Sequence, residues 1–144
     1  MRRALIAIIA IAGLSIPAIA SAAGKRHIHF TTKIVGAGIS ANQATYKVHD
    51  SQFGDGAGVQ TVKVKGSGGT DREITYYGNA TATSEGSFTI GTPDANGIAA
   101  LTGSGHDVSG TGKAKGLSST YTYSGTYNTK TRVFKVTLTG TYTY

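Results

Sequence analysis

Five lysines determine how this chain has to lie. Lys33, Lys47, Lys63, Lys65 and Lys135 each sit in a short run where apolar and polar residues alternate, and each has the parity opposite to its apolar neighbours. Alternation of period two is the pattern of a half-buried strand. A slip of one residue would carry lysines into the core, so strand and register are specified together. Residues 27–35 put Ile28, Phe30, Thr32 and Ile34 on one face, and 44–50 put Tyr46 and Val48 there. The same reading places Val62 and Val64 inward in 59–65, Ile74 and Tyr76 in 72–77, and Phe88 and Ile90 in 86–92. Residues 119–127 align Tyr121, Tyr123 and Tyr127, and 132–144 align Phe134, Val136, Leu138 and Tyr142. Residues 98–105 form an eighth run without a clear inner face. Turns are expected at 36–42, 53–58, 66–69, 93–97 and 128–130, and a loop over the five glycines of 103–116.

The first 23 residues read as an export signal. Arg2 and Arg3 precede an apolar run over 4–16, and small residues at 18–23 mark cleavage near Ala22 or Ala23. Gly13, Ser15 and Pro17 interrupt the run, which argues against a stable membrane span. Residues 24–144 are then one exported domain, secreted to the extracellular space or the periplasm. It contains no Cys, which excludes a disulfide scaffold, a thiolate metal site and a thiol nucleophile. Leu, Ile, Val and Phe total only 21 residues against 21 Thr and 20 Gly, so a Leu-rich helical bundle is excluded. Eight Tyr supply the missing buriable surface.

Eight consecutive strands with short connections favour an antiparallel meander. A thin supply of hydrophobes suits its closure into a small barrel, which also removes exposed edges. The expected fold is all-β, a single eight-stranded antiparallel barrel over 27–144, with a β-sandwich as the alternative.

The second half carries a resemblance. Gly86-Ser87-Phe88-Thr89-Ile90, the run 99–105, Gly110-Thr111-Gly112-Lys113-Ala114-Lys115-Gly116-Leu117 and Thr122-Tyr123-Ser124-Gly125-Thr126 follow one another in order. Together they resemble the allene oxide cyclase and dirigent barrel superfamily, especially its small secreted bacterial members. Ser109, Ala114 and Leu117-Ser118 depart from that family's glycine-rich turn. The resemblance implies an eight-stranded barrel, often trimeric, with an apolar cavity in which hydrophobic substrates are cyclised or coupled. None of the family's catalytic positions is matched here, so no catalytic residue is carried over.

Other motifs have plainer readings. Gly36-Ala37-Gly38-Ile39-Ser40-Ala41 spells a dinucleotide fingerprint, but a strand follows where the fingerprint needs a helix. His27 and His29 share a strand face at a spacing that chelates metal, yet nothing in sequence places a third ligand beside them. No metal and no cofactor is expected. Asn79-Ala80-Thr81 is a glycosylation sequon of use only on a eukaryotic route. Twelve Lys and Arg against seven Asp and Glu give residues 24–144 a net charge of +5, spread over several strands rather than gathered in an aromatic stripe, so nucleic acid is not an expected partner.

The candidate pocket consists of Tyr46, Arg72, Tyr76 and Asp107. An inward Arg72 beside tyrosines would orient a carboxylate or phenolate; the alternative, favoured by its place at the first residue of a strand, is that it bends out to solvent. Asp107 is the strand acid best placed to face the core, Asp50 is marginal, and Glu73 has the outward parity of Thr75. The expected function is non-catalytic binding of a small apolar ligand, or an extracellular interaction module. A dirigent-like isomerase or cyclase is the alternative. A homo-oligomer, such as a trimer, is expected, burying between subunits the tyrosines that a small barrel has no room for; a monomer with the rings packed inside is the alternative.

Overall fold

The structure is a computed structural model that describes residues 24–144. The export signal expected over 1–23 lies outside the described residues. Eight strands follow in order: β1 (His27–Gly38), β2 (Gln43–Asp50), β3 (Gly54–Lys65), β4 (Gly68–Tyr77), β5 (Ala80–Ile90), β6 (Ile98–Gly112), β7 (Ser118–Asn128) and β8 (Val133–Thr143). Each pairs antiparallel with the next, and β1 pairs with β8 to close the barrel. The described residues contain no helix, so the glycine motif after Val35 opens no dinucleotide site.

The lysine parity decides the inner face as expected on four strands, β1, β2, β3 and β8. Phe30, Ile34, Tyr46, Val48, Phe134 and Leu138 are buried, while Lys33, Lys47, Lys63, Lys65 and Lys135 are exposed. Charges on the outer face reverse the pattern of a lipid-facing barrel, which is apolar outside. No helix among the described residues is long and apolar enough to cross a membrane.

Strand β4 is inverted relative to expectation. Asp71, Glu73, Thr75 and Tyr77 take the inner parity, and Arg72, Ile74 and Tyr76 face outward. Ile74 lies directly across from the outward Val59, so the two shelter each other on the outer surface. The apolar residues of this strand serve the outside and its acids the inside. Strand β6 also runs further than expected, to Gly112, through the stretch read as loop. A bulge at Val108 leaves that residue exposed and keeps Asp107 pointing inward opposite Ser84. The turn proper is 113–117; Gly112 just before it and Gly116 within it supply positive φ angles of 58° and 77°.

The interior is narrow, and the chain fills it by setting aromatic rings over glycines. Phe30 lies opposite Gly140, Tyr46 opposite Gly58, Tyr77 opposite Gly56, Phe88 opposite Gly69, Tyr121 opposite Gly105, Tyr123 opposite Gly103 and Phe134 opposite Gly36. A methyl group on any of these glycines would stand within 2.8 Å of the facing ring. The row Tyr121, Tyr123 and Tyr127 therefore belongs to the interior, with Tyr142. The outer aromatic surface on which the expected oligomer depends is not formed by these rings.

The two ends of the barrel differ. At one end Phe30 stacks on Tyr142 at 4.0 Å and Phe53 stacks on Tyr77 at 5.2 Å, with Phe53 edge-on to Tyr142. Ala114 and Leu117 of the 113–117 turn are buried there too. Asp50, only 1% exposed, ties this end together. Its carboxylate accepts hydrogen bonds from Thr32 Oγ1, from Tyr142 OH at 3.0 Å, and from the backbone N–H groups of Gln52 and Phe53 at 2.7 and 3.0 Å. The other end, framed by the turns at 39–42, 66–67, 91–97 and 129–132, is open.

Two outcomes follow for stability. Gly58→Ala forces a methyl group against the Tyr46 ring and should destabilise by about 1–3 kcal/mol in denaturant unfolding. In a double-mutant cycle, Tyr46→Ala should cancel much of that loss, because the ring is what the methyl group meets. For the parity of β4, Tyr76→Lys should change stability by no more than about 0.5 kcal/mol. Thr75→Lys, which points a charge inward, should cost several-fold more; equal effects would refute the register.

Candidate functional site

The barrel interior is divided along its axis. Beneath the open mouth is a cavity of about 130 Å³ walled by apolar side chains, among them Ile34, Val62, Phe88, Leu101, Val136 and Leu138. Val64 keeps its inward parity at the rim, where it is largely exposed. Below is a second, polar chamber of about 30 Å³ lined by Thr75, Ser84, Asp107, Ser119 and Tyr142. Ile34, Glu73, Tyr121 and Leu138 line both and form the boundary between them, with Glu73 its one acid. Beneath the polar chamber lies the aromatic plug.

Glu73 does not stand alone. It alternates with Asp71 along β4, so both carboxyls enter the barrel on one strand face, two residues apart. Gln60, opposite Glu73 on β3, donates its side-chain N–H to Glu73 Oε1 at 2.8 Å and, more weakly, to Asp71 Oδ2 at 3.4 Å. Asp71 Oδ1 is buried without a hydrogen-bond partner. Two close carboxyls in an apolar wall are not both ionised, because each charge raises the cost of the other. Burial first, and the neighbouring Asp71 second, push the Glu73 carboxyl up to about 8. Asp71 is itself raised by burial, with the Gln60 hydrogen bond opposing.

Asp107 occupies the polar chamber. Burial raises its carboxyl, opposed by the nearby Ser119 and Ser84 hydroxyls. Ser84 Oγ donates to Asp107 Oδ1 at 2.8 Å, whereas Ser119 Oγ finds no partner of good geometry. The surrounding tyrosines, Tyr46, Tyr77, Tyr121, Tyr123 and Tyr142, are all raised by burial and stay neutral. They are hydrogen-bonding groups rather than bases.

Of the four pocket residues expected from sequence, two are inside. Tyr46 is buried with its hydroxyl 2.7 Å from Thr75 Oγ1, and Asp107 lines the polar chamber. Arg72 and Tyr76 are outside: Arg72 pairs with Glu85 across the β4–β5 ladder, and Tyr76 is 53% exposed. Glu73, assigned outward from sequence, is instead the acid at the cavity floor, and Asp50 is fully interior. The signal that could have found Glu73 is its spacing from Asp71 and Thr75, a polar alternation as regular as the apolar one it displaces. His27 and His29 lie on the outer face of the β1–β8 seam, each ring near a threonine hydroxyl of β8 at 3.0 and 3.2 Å. The described residues hold no group of three or more ligand-type side chains arranged for a metal ion.

The raised Glu73 has a consequence for stability. Between its ordinary value of 4.5 and its folded value of about 8, the native chain holds a proton that the unfolded chain has released. Stability therefore falls as pH rises through that window. The raised Asp71 and Asp107 act with the same sign. Thermal unfolding should show Tm declining from about pH 5 to about pH 8, and Glu73→Gln, a neutral isostere that still accepts from Gln60, should flatten the decline. A slope unchanged by the substitution would contradict the placement of Glu73.

A closed eight-stranded barrel is shared by unrelated families, so architecture by itself does not assign one. No family model matches this chain, and no curated protein or solved structure matches it either.

Proposed function

We propose that the barrel is a binding cup for a small, largely apolar ligand, exported to act outside the cytoplasm, and related to the dirigent-like barrels that its second half resembles. The observation that carries this reading is the apolar cavity of about 130 Å³ beneath an open mouth. A void of this kind has a use that a packed core does not. An apolar cavity of about 150 Å³ lined by Leu, Ile and Phe stays dry and takes up benzene or xenon. The ligand, or the part of it that enters, is accordingly about the size of one six-membered ring. Gln60 and the protonated Glu73 offer it hydrogen bonds at the floor.

A second reading, an isomerase or cyclase acting on a hydrophobic substrate, is favoured by Glu73. A carboxyl held near 8 is matched to general acid work at neutral pH. In that reading Glu73 protonates a developing oxyanion of the bound molecule, and Gln60 holds its carboxyl in place.

Toluene titrated into the folded domain should shift the NMR signals of Leu101, Val136 and Leu138 methyl groups and raise Tm. Leu101→Trp, which fills the cavity, should abolish both effects while leaving the fold intact. Shifts that persist in the filled variant would refute the cavity as the binding place. Glu73→Gln should retain binding in the first reading; loss of turnover with retained binding would select the second.

A further inference from the structure

We propose that Arg132 sets the charge preference of the mouth, so that the cup selects ligands carrying a carboxylate on an apolar body. This inference rests on the reading of the interior as a ligand cavity. Sequence offers Arg72 as a candidate carboxylate-orienting cation, but that side chain faces outward and is paired with Glu85. The structure brings a different arginine to the mouth.

Arg132 ends the turn between β7 and β8. Its backbone N–H donates to Asn128 O at 2.7 Å, and its carbonyl accepts from Gly38 N–H at 3.0 Å. Its φ of 61° makes it the one non-glycine residue with left-handed backbone among those described. Asn or Gly takes that conformation with less strain than Arg, so backbone geometry does not account for an arginine here. The side chain has a seat of its own. The guanidinium lies over Gly38, where an added Cβ would stand 2.9 to 3.1 Å from Nη2, Nε and Cζ. It forms part of the wall of the apolar cavity.

Its electrostatic position is distinct too. Every other Lys or Arg among the described residues is exposed, whereas Arg132 is half-buried. The two ion pairs of the described residues, His49–Asp55 and Arg72–Glu85, do not include it. A planar guanidinium with its donors unengaged by acids is suited to grip a carboxylate with two parallel hydrogen bonds. At the rim of an apolar cup it would hold such a group while the apolar body occupies the cavity. Glu73, the one acid that lines this cavity, is kept protonated by its burial and does not repel an anion.

The test compares three probes of one shape: phenylacetate, phenylacetamide and toluene, titrated against the folded chain and against Arg132→Asn. Asparagine accepts the left-handed backbone, so this variant removes the charge without disturbing the turn. Phenylacetate should bind the unaltered chain about tenfold more tightly than phenylacetamide, the scale of one charge-assisted hydrogen bond. Arg132→Asn should bring the two within about twofold of each other and leave toluene unchanged, and Arg132→Lys should restore part of the preference. Toluene binding with no preference for phenylacetate, or a preference that survives Arg132→Asn, overturns this inference and leaves the ligand cavity standing. Failure of all three probes to bind overturns the cavity reading, and this inference with it.

Discussion

Aromatic rings lying on glycines are what allow this barrel to have an interior at all. Eight strands enclose a space just wide enough for side chains to fill. Of the rings that enter it, seven lie directly across the ladder from a glycine. A Cβ at those positions would occupy the volume that the ring needs. The scarcity of Leu, Ile and Val is thus a consequence of how the space is shared: large side chains on one strand are matched by none on its neighbour. It also locks the register, because sliding a strand by two residues keeps the inward parity but sets rings against side chains.

That sharing is uneven along the axis, and the unevenness makes a site. Phe30, Phe53, Tyr77 and Tyr142 crowd one end and interlock with the Asp50 network, so nothing enters there. Toward the other end aliphatic side chains stand between the rings of Phe88, Tyr123, Tyr127 and Phe134, and a cavity remains. The acids fall between the two regimes. Their desolvation is tolerated because Gln60, Ser84 and neighbouring hydroxyls bond them and because a carboxyl in this position keeps its proton. A ligand descending from the mouth meets apolar walls first and a neutral hydrogen-bonding floor second.

Most of the barrel was legible from parity, since lysine and valine on one strand leave one choice of inner face. Strand β4 was not. There Ile74 and Tyr76 alternate as cleanly as any core pair, and only the cross-strand neighbour Val59 explains why they are outside. Period-two patterning reports that two faces differ; which one is inward depends on partners that are remote in sequence. The same limit hid Glu73, and it placed the guanidinium at Arg72 rather than at Arg132. It left β6 without an inner face as well, because glycines at 103 and 105 carry no parity until Tyr123 and Tyr121 are laid over them.

The seam between β1 and β8 bears on how the chain reaches this state. Seven of the eight ladders join strands that are neighbours in sequence and zip as hairpins. The last joins Ile28 to Tyr142 across nearly the whole described chain. Until it forms, the molecule is a curled meander with two unpaired borders, the condition in which sheets recruit strands from other molecules. Lys33 stands on one border and Lys135 on the other, each facing outward beside a threonine or valine of its partner. Before closure these charges guard the borders against intermolecular pairing. After it they are ordinary surface residues, so their main contribution falls on the road to the barrel rather than on the barrel itself.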